Sequence, residues 1–256
     1  MTSATDQYWS DRARQVANDA DVNITDVFQR ELELDAIGPL LTPSMRVLEA
    51  GCGNGFTTAR LRRLVAHVDA FDYSGEMIAR ARSTYGEENN RFVQDNVLEP
   101  QSIAGPYDAV LCTRVLINLR NLDEQRRAIQ ALAGLVAPAG RLILTEGFSD
   151  GFAGLTALRG AIGLPPVEPA GINCYSTVSG VLAGLGPEWR VSRSFHLGMY
   201  DYLTRVVYPM IAGPENVRHN TAISEKSLAL ARAHNPESMQ PLSRVRGFML
   251  ERGSHG

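Results

Sequence analysis

The sequence predicts an α/β protein in which helices cover both faces of a mostly parallel β-sheet. Between residues 45 and 146, short apolar runs typical of buried strands alternate four times with helical patterns. Parallel neighbouring strands need crossover connections, which helices supply. Polar residues stand at the predicted carboxyl ends of these strands, the edge at which doubly wound sheets bind ligands. A glycine-rich turn, Gly51–Gly55, follows the first strand at the same edge.

The elements follow from the pattern in chain order. Residues 5–40 carry apolar side chains at helical spacing, and Gly38 and Pro39 end that pattern. Ser74 is the predicted N-cap of a helix over 76–83. The other predicted helices occupy 59–65 and 122–135, with Pro138 and Gly140 closing the latter. The predicted strands occupy residues 45–50, 67–71, 91–93, 108–112, 141–145, 189–196 and 245–251.

A long segment separates the last two predicted strands. Residues 197–244 contain aromatic and basic side chains and a helical stretch at 224–233. Because structureless loops of this length are uncommon in compact domains, we interpret the segment as a helical cap, or lid, inserted into one domain. The predicted single domain, 1–256, comprises a helical N-terminal segment (1–44), a ligand-binding core (45–146), the cap (197–244) and the rest of the sheet (147–196 and 245–252).

Composition excludes several classes of protein. With 44% hydrophobic and 21% charged residues, the 256-residue chain is expected to fold. A formal net charge of −3 disfavours a broad nucleic-acid surface. No apolar run reaches the ~18 residues of a membrane span, and the first eleven residues lack the parts of a signal peptide. Three cysteines without metal-type spacing predict a reduced, cytoplasmic protein with no metal.

The turn after the first strand points to a particular ligand. Its glycines let backbone N–H groups approach a ligand closely, and the next helix directs its N-terminus there. Glu49, just before the glycines, would repel phosphates but suits a ligand with an ammonium group. The spacing Gly51-x-Gly53-x-Gly55 also departs from the dinucleotide pattern.

Residues at the next two strand ends suit an adenosine moiety. Asp72, which ends the second strand, can accept both hydroxyl groups of a ribose. Asp95 and Asn96 end the third strand, where a carboxylate and an amide can bind an adenine edge. Met77 can cover the purine face. The alternatives are an N-cap for Asp72, a polar turn for Asp95 and Asn96, and ordinary helix core for Met77.

Together these residues resemble the class I S-adenosylmethionine-dependent methyltransferases. The matching segments appear in family order over about residues 45–146: Val47–Gly55, Phe71–Met77, Gln94–Asn96, Tyr107–Cys112 and Leu135–Leu142. The resemblance implies a Rossmann-like, doubly wound seven-stranded sheet whose last strand is antiparallel. It also implies S-adenosylmethionine as cofactor, with contacts from Glu49, Gly51, Cys52, Gly53, Asp72, Tyr73, Met77, Asp95, Asn96, Val97 and Thr113. Asn118 stands where many relatives carry His, so no histidine role is carried over to this position.

Several acceptor classes are disfavoured. The residues after the fourth strand, Cys112-Thr113-Arg114-Val115, lack the Asn/Asp-Pro-Pro-aromatic tetrad of exocyclic amino N-methyltransferases. Cys112 lacks the preceding proline of pyrimidine C5 enzymes, and no acidic metal-binding set is visible. We therefore predict methyl transfer to an oxygen or nitrogen of a small molecule. The range of the family suggests specialised metabolism.

The acceptor site is less well defined by the sequence. Candidate substrate contacts are Tyr8, Trp9, Arg114, Tyr200 and Arg205. His196 and His219 are candidate general bases, although hydrogen-bonded structural histidines are the alternative and we favour alignment by shape. Cap residues Arg205, Arg218 and His219, with Arg159 and Arg193, suit an anionic acceptor or form a solvated basic face.

Two other functions are compatible with parts of this pattern. One is a non-catalytic protein that binds S-adenosylmethionine or a partner. The other is a nicotinamide-dependent dehydrogenase, which Glu49 and the glycine spacing disfavour. The sequence predicts neither a nucleic-acid nor a membrane partner, and it does not indicate an oligomeric state.

Overall fold

A computed structural model describes residues 3–253. Residues 1–2 of the predicted N-terminal segment and residues 254–256 of the predicted single domain lie outside this range. None of the described helices has the length and apolar character needed to cross a membrane. Within the same range, no cluster of His, Cys, Asp and Glu side chains could hold a metal ion.

Seven strands form one sheet in the order β3-β2-β1-β4-β5-β7-β6. Strands β1 to β5 pair in parallel, and β7 runs antiparallel to both β5 and β6. The predicted doubly wound sheet with an antiparallel last strand is therefore confirmed. The strands are β1 (Arg46–Ala50), β2 (His67–Asp72), β3 (Asn90–Gln94), β4 (Tyr107–Thr113), β5 (Val136–Gly147), β6 (Trp189–His196) and β7 (Val245–Arg252).

Helices cover both faces of the sheet. On one face Leu48 and Val110 pack against Ile129 and Leu132 of α6, and on the other Val47 and Ile143 belong to a second buried cluster. The helices up to α6 are α1 (Ser3–Gln15), α2 (Asp19–Val22), α3 (Val27–Ile37), α4 (Thr58–Leu61), α5 (Gly75–Tyr85) and α6 (Leu122–Gly134). The later helices are α7 (Ser149–Ala161), α8 (Val178–Leu182), α9 (Gly198–Tyr202), α10 (Tyr208–Ala212) and α11 (Ala222–Ala233).

Two sequence predictions need correction. The helix predicted over 59–65 is only the single turn α4. The strand predicted over 141–145 already begins at Val136 and includes Pro138 and Gly140. Its pairing with β4 is irregular there, and a Cβ at Gly140 would lie 2.8 Å from the Tyr107 carbonyl oxygen. A proline is tolerated in a strand at such an irregularity, because no ladder hydrogen bond needs its missing N–H.

The N-terminal helices and the 197–244 segment occupy the edge of the sheet that carries the site. Helix α1 packs across α5, where the Arg80 guanidinium donates hydrogen bonds to the carbonyls of Ala13 and Val16. The 197–244 segment is helical, as predicted, and a π-helical turn (Leu203–Val207) joins α9 to α10. Its apolar side packs against α3 through Leu32, Tyr200 and Leu228.

Candidate active site

A cavity lies at the carboxyl ends of β1, β2 and β4, beneath the N-terminal helices. The space inside the cavity, counted together with its open mouth, is about 750 Å³. Asn96 instead lines an adjoining surface hollow that shares Tyr73 and Asp95 with the cavity. The cavity is lined by ten of the predicted cofactor residues, namely Glu49, Gly51, Cys52, Gly53, Asp72, Tyr73, Met77, Asp95, Val97 and Thr113.

The glycine-rich turn approaches its surroundings too closely for side chains. Gly51 has a φ of 70°, and a Cβ there would lie 2.2 Å from Cγ2 of Val115. Gly53 has a φ of 55°, and its Cβ would meet the Asn23 amide at 2.3 Å. Both backbone conformations favour glycine. The turn thus forms a bare backbone wall of the cavity.

Glu49 is a buried carboxylate with little compensation. It is 4% exposed, and its Oε2 accepts a 2.5 Å hydrogen bond from the Thr58 hydroxyl. Burial raises the pKa of Glu49 to about 8; the Thr58 hydrogen bond opposes this rise, and the charge of Asp72 adds to it. A positively charged ligand group would stabilise the ionised form. The donor set at this end of the cavity therefore fits an ammonium group.

Asp72 is held rigidly at the end of β2. Its Oδ2 accepts from the Gly53 N–H at 2.8 Å and its Oδ1 from the Ser74 N–H at 2.9 Å. Burial raises its pKa, and these backbone hydrogen bonds oppose the rise. Ser74 also caps α5, as predicted, by accepting from the Met77 N–H. Because Asp72 lines the cavity as well, the N-cap alternative does not account for it.

Asp95 both holds the turn after β3 and lines the cavity. Its carboxylate accepts backbone N–H groups of Asn96, Gln101 and Ser102, so it organises the following turn. It nevertheless lines the cavity, as Val97 and Met77 do. Met77 is 1% exposed and packs against Ala13 as well as lining the cavity. Asp95 therefore organises a polar turn and Met77 belongs to the helix core, as the alternatives predicted. Both residues also line the cavity.

The other end of the cavity, past β4, is built from predicted and unpredicted residues. The Trp9 indole donates a 3.0 Å hydrogen bond to Asn118 Oδ1, and Asn118 Nδ2 donates to the Arg114 carbonyl at 2.8 Å. Asn23 and Thr57 also line the cavity and were missed. Asn23 reaches it because α2 crosses the glycine turn, and no local pattern signals that crossing.

The turn after β4 is held by a buried acid. Arg114 has a φ of 55°, which is uncommon for a residue with a side chain. Glu146 Oε1 accepts from the Val115 and Leu116 N–H groups at 2.7 and 2.8 Å. Burial raises the pKa of Glu146 to about 8, opposed by these hydrogen bonds. Glu146 thus fixes the position of Arg114 at the cavity.

Several predicted residues do not line this cavity. Tyr8 is 38% exposed and stacks edge-on against Trp9. Tyr200 is fully buried and donates its hydroxyl hydrogen to Asp26 at 2.7 Å; Arg205 lies 3.5 Å from the same carboxylate. These cap side chains face α3 because the inner surface of the cap packs there.

The predicted general bases are also elsewhere. His196 ends β6, where its Nδ1 accepts from the Gly198 N–H and its Nε2 lies 3.5 Å from Glu237. His219 Nδ1 lies 3.3 Å from Asp26 Oδ2. Both histidines thus make contacts within the fold, in agreement with the alternative that they are structural residues. Of the predicted basic face, Arg218 and Arg193 are exposed, whereas Arg159 is buried and donates to the carbonyls of Pro165 and Arg205.

Residues 47–140 match the family model of a methyltransferase domain. They contain the glycine turn, Asp72 and Asp95, and they form the core of the predicted seven-stranded fold. This part of the chain is a methyltransferase domain. The predicted methyltransferase family is thereby confirmed for this part of the chain.

The methyltransferase domain is similar to curated and solved proteins. An uncharacterised methyltransferase of Mycobacterium tuberculosis is 32% identical over 109 residues, covering 43% of this chain and 53% of the relative. A ubiquinone biosynthesis O-methyltransferase of Xanthomonas oryzae pv. oryzae is 31% identical over 134 residues, covering 51% and 54%. The chain thus spans about half the length of these curated relatives.

Two solved structures share the fold over nearly the whole chain. The magnesium protoporphyrin IX methyltransferase of Synechocystis PCC 6803, with bound S-adenosylhomocysteine, has a TM-score of 0.63 at 20% identity and covers 98% of this chain and 99% of its own. The N-methyltransferase NodS of Bradyrhizobium japonicum WM9 has a TM-score of 0.57 at 16% identity, with coverage of 98% and 100%. These similarities support the methyltransferase fold.

Proposed function

We propose that this protein transfers the methyl group of S-adenosylmethionine to an oxygen or nitrogen atom of a small molecule, as in specialised metabolism. The observation that carries the proposal is the distribution of donors and acceptors in one cavity. A buried, uncompensated Glu49 lies at one strand end, and acceptors from Asp72 and Asp95 follow at the next two. This order suits the ammonium, ribose and adenine groups of the cofactor in turn.

Each residue then has a specific role. Glu49 stabilises the ammonium group, and the bare backbone of Gly51 and Gly53 allows close approach. Asp72, oriented by two backbone N–H groups, accepts the ribose hydroxyls. Asp95 and Asn96 bind the adenine edge, while Met77 and Val97 cover its faces. When bound, the cofactor supplies an activated methyl group on a sulfonium, so the protein mainly needs to align the acceptor.

The acceptor end of the cavity offers positioning groups rather than a base. Among the described residues that line the cavity there is no histidine. Thr113, Trp9 and Asn118 surround this end with hydrogen-bonding and aromatic surface. We therefore propose alignment by shape, with the acceptor beside Thr113 and Arg114. A base role for His196 or His219 and substrate contacts from Tyr8, Tyr200 and Arg205 would require a rearrangement of the cap or of α1.

A small acceptor agrees with the names of several similar proteins. Ubiquinone biosynthesis O-methyltransferase and magnesium protoporphyrin IX methyltransferase are named for small-molecule chemistry, and NodS is named as an N-methyltransferase. These names agree with methyl transfer to either an oxygen or a nitrogen atom. The predicted organisation, with residues 197–244 as a cap on a single domain, is part of the same proposal.

The test is methyl transfer itself. The protein is incubated with S-adenosylmethionine carrying a tritiated methyl group and with a panel of phenols, carboxylic acids and amines. We expect label in at least one acceptor class and at least a hundredfold loss with Asp72→Ala. Tight cofactor binding without transfer to any member would favour the non-catalytic alternative.

A further inference from the structure

We propose that Arg114 anchors a carboxylate group of the acceptor, an inference that rests on the proposed function. Arg114 follows β4 and lines the cavity together with Thr113 and Asn118. In the sheet order, β4 lies beyond β1 on the side away from β2 and β3, which carry Asp72 and Asp95. Arg114 thus belongs to the end of the cavity left for the acceptor.

The backbone of Arg114 indicates that its side chain has a use. Its φ of 55° lies in the left-handed region, where glycine or asparagine would be less strained. Hydrogen bonds to β5 hold this strained turn in place. The Arg114 N–H donates to the Thr145 carbonyl at 2.8 Å, and the Glu146 carboxylate accepts from the N–H groups of the two residues after Arg114. Strained residues held by their surroundings cluster at functional sites.

The guanidinium of Arg114 is poorly partnered. Its Nε lies 3.3 Å from Glu33 Oε2, close enough for an ion pair. Yet both of these buried atoms lack a hydrogen-bond partner of acceptable geometry. Glu33 is 1% exposed and uses its other oxygen to accept from Gln29 Nε2 at 2.9 Å. Buried polar groups normally find such partners. A carboxylate that accepts two hydrogen bonds from the guanidinium would supply the partners that Arg114 lacks.

A second guanidinium lies close enough to Arg114 to interact with its charge. Burial, followed by the charge of Arg114, lowers the pKa of Arg30 to about 10. Gln29 also accepts from Arg244, whose guanidinium pairs with Asp201. Where α3, the turn after β4 and the cap meet, Glu33, Asp26 and Asp201 pair with Arg114, Arg205 and Arg244, and Arg30 lies close to Arg114. A carboxylate brings one negative charge to this place, so Glu33 repels it less than it would repel a phosphate dianion.

The experiment uses the full chain saturated with S-adenosylhomocysteine and titrated with acetate and benzoate. Their neutral counterparts, acetamide and benzamide, are titrated in parallel. We expect saturable binding of the carboxylates only, weakened at least tenfold by Arg114→Gln and unchanged by Arg120→Gln, an exposed arginine paired with Glu124. Glu33→Gln removes the competing carboxylate and is expected to tighten benzoate binding at least threefold, an effect that a purely structural arginine would not give.

The carboxylate could instead be that of the cofactor. We therefore expect Arg114→Gln to leave the Kd for S-adenosylhomocysteine within twofold. A large loss for this ligand, with 5′-methylthioadenosine binding unchanged, would assign Arg114 to the cofactor and overturn the proposal. Equal binding of acids and amides, or no saturable binding of acids, would overturn it too. If the Gln variant unfolds, the test is repeated with Arg114→Asn, because Asn suits the left-handed backbone. If S-adenosylhomocysteine itself does not bind to the wild-type protein, the proposed function is contradicted instead.

Discussion

The two ends of the cavity are built in different ways. At the cofactor end, Glu49, Asp72 and Asp95 stand at the ends of consecutive strands, and the parallel sheet alone brings them together. At the acceptor end, Trp9 reaches Asn118 and the turn of Arg114 only because α1 folds over the sheet. The cap residues Arg205 and His219 lie instead against Asp26, the N-cap of α3. The order of the strands thus determines the residues at the cofactor end, and packing between distant segments determines those at the acceptor end.

The largest expected effect tests whether the cofactor end depends on bare backbone. In Gly51→Ala, the added Cβ lies 2.2 Å from Val115 Cγ2 at a φ of 70°, so we expect the free energy of unfolding to fall by about 2–4 kcal/mol. Cofactor binding should be lost with it. The measurement is urea unfolding with and without S-adenosylhomocysteine. Gly160→Ala is the control, because nothing lies within 4 Å of its Cβ and helix propensity favours Ala.

The next prediction separates stability from binding at Glu49. Since its pKa is raised to about 8 in the folded protein, the folded state binds more protons than the unfolded state between about pH 4.5 and 8. Stability is therefore highest below the unfolded pKa and falls as pH rises through this window. Glu49→Gln should remove this penalty, on the order of 1–3 kcal/mol at pH 8, while weakening S-adenosylmethionine binding. Thermal unfolding at pH 6 and 8 measures the first effect and calorimetry the second; a variant that is less stable at pH 8 would contradict the assignment.

A smaller effect is expected at the acceptor end. Trp9→Phe removes the hydrogen bond to Asn118, worth about 1 kcal/mol, and should raise the acceptor KM several-fold with little change in Kd for S-adenosylhomocysteine. Trp189→Phe, at the far edge of the sheet, is the matched control. If Trp9→Phe weakened the cofactor as much as the acceptor, the two ends would not be separable as described.

The smallest effects are expected in the cap. His196→Ala and His219→Ala should leave kcat/KM within about twofold, because neither residue lines the cavity. The pH profiles of both variants should match that of the wild type. A tenfold or greater loss of kcat with a changed pH profile would restore a general-base role and show that the cap closes differently during turnover.

The sequence predicts which strand-end residues line the cavity because those signals are local. Glycine spacing, Glu49 and the strand-end aspartates each depend on one strand and the turn after it. The extent of β5 was missed because Pro138 and Gly140 look like terminators, although a pairing irregularity accommodates them. Asn23 was missed, and His196 and His219 were placed at the site, because those positions depend on which distant elements pack together. No local pattern records such packing.

The central claim is tested most directly by calorimetric titration of the full chain with S-adenosylhomocysteine and NADH. Asp72→Ala is compared with Asp35→Ala, a change at an exposed carboxylate paired with Arg232. We predict that S-adenosylhomocysteine binds, that NADH does not, and that only Asp72→Ala weakens binding, by about 10- to 100-fold for lost charge-assisted hydrogen bonds. Binding of NADH, or equal binding by both variants, would contradict the assignment of this cavity as the cofactor site.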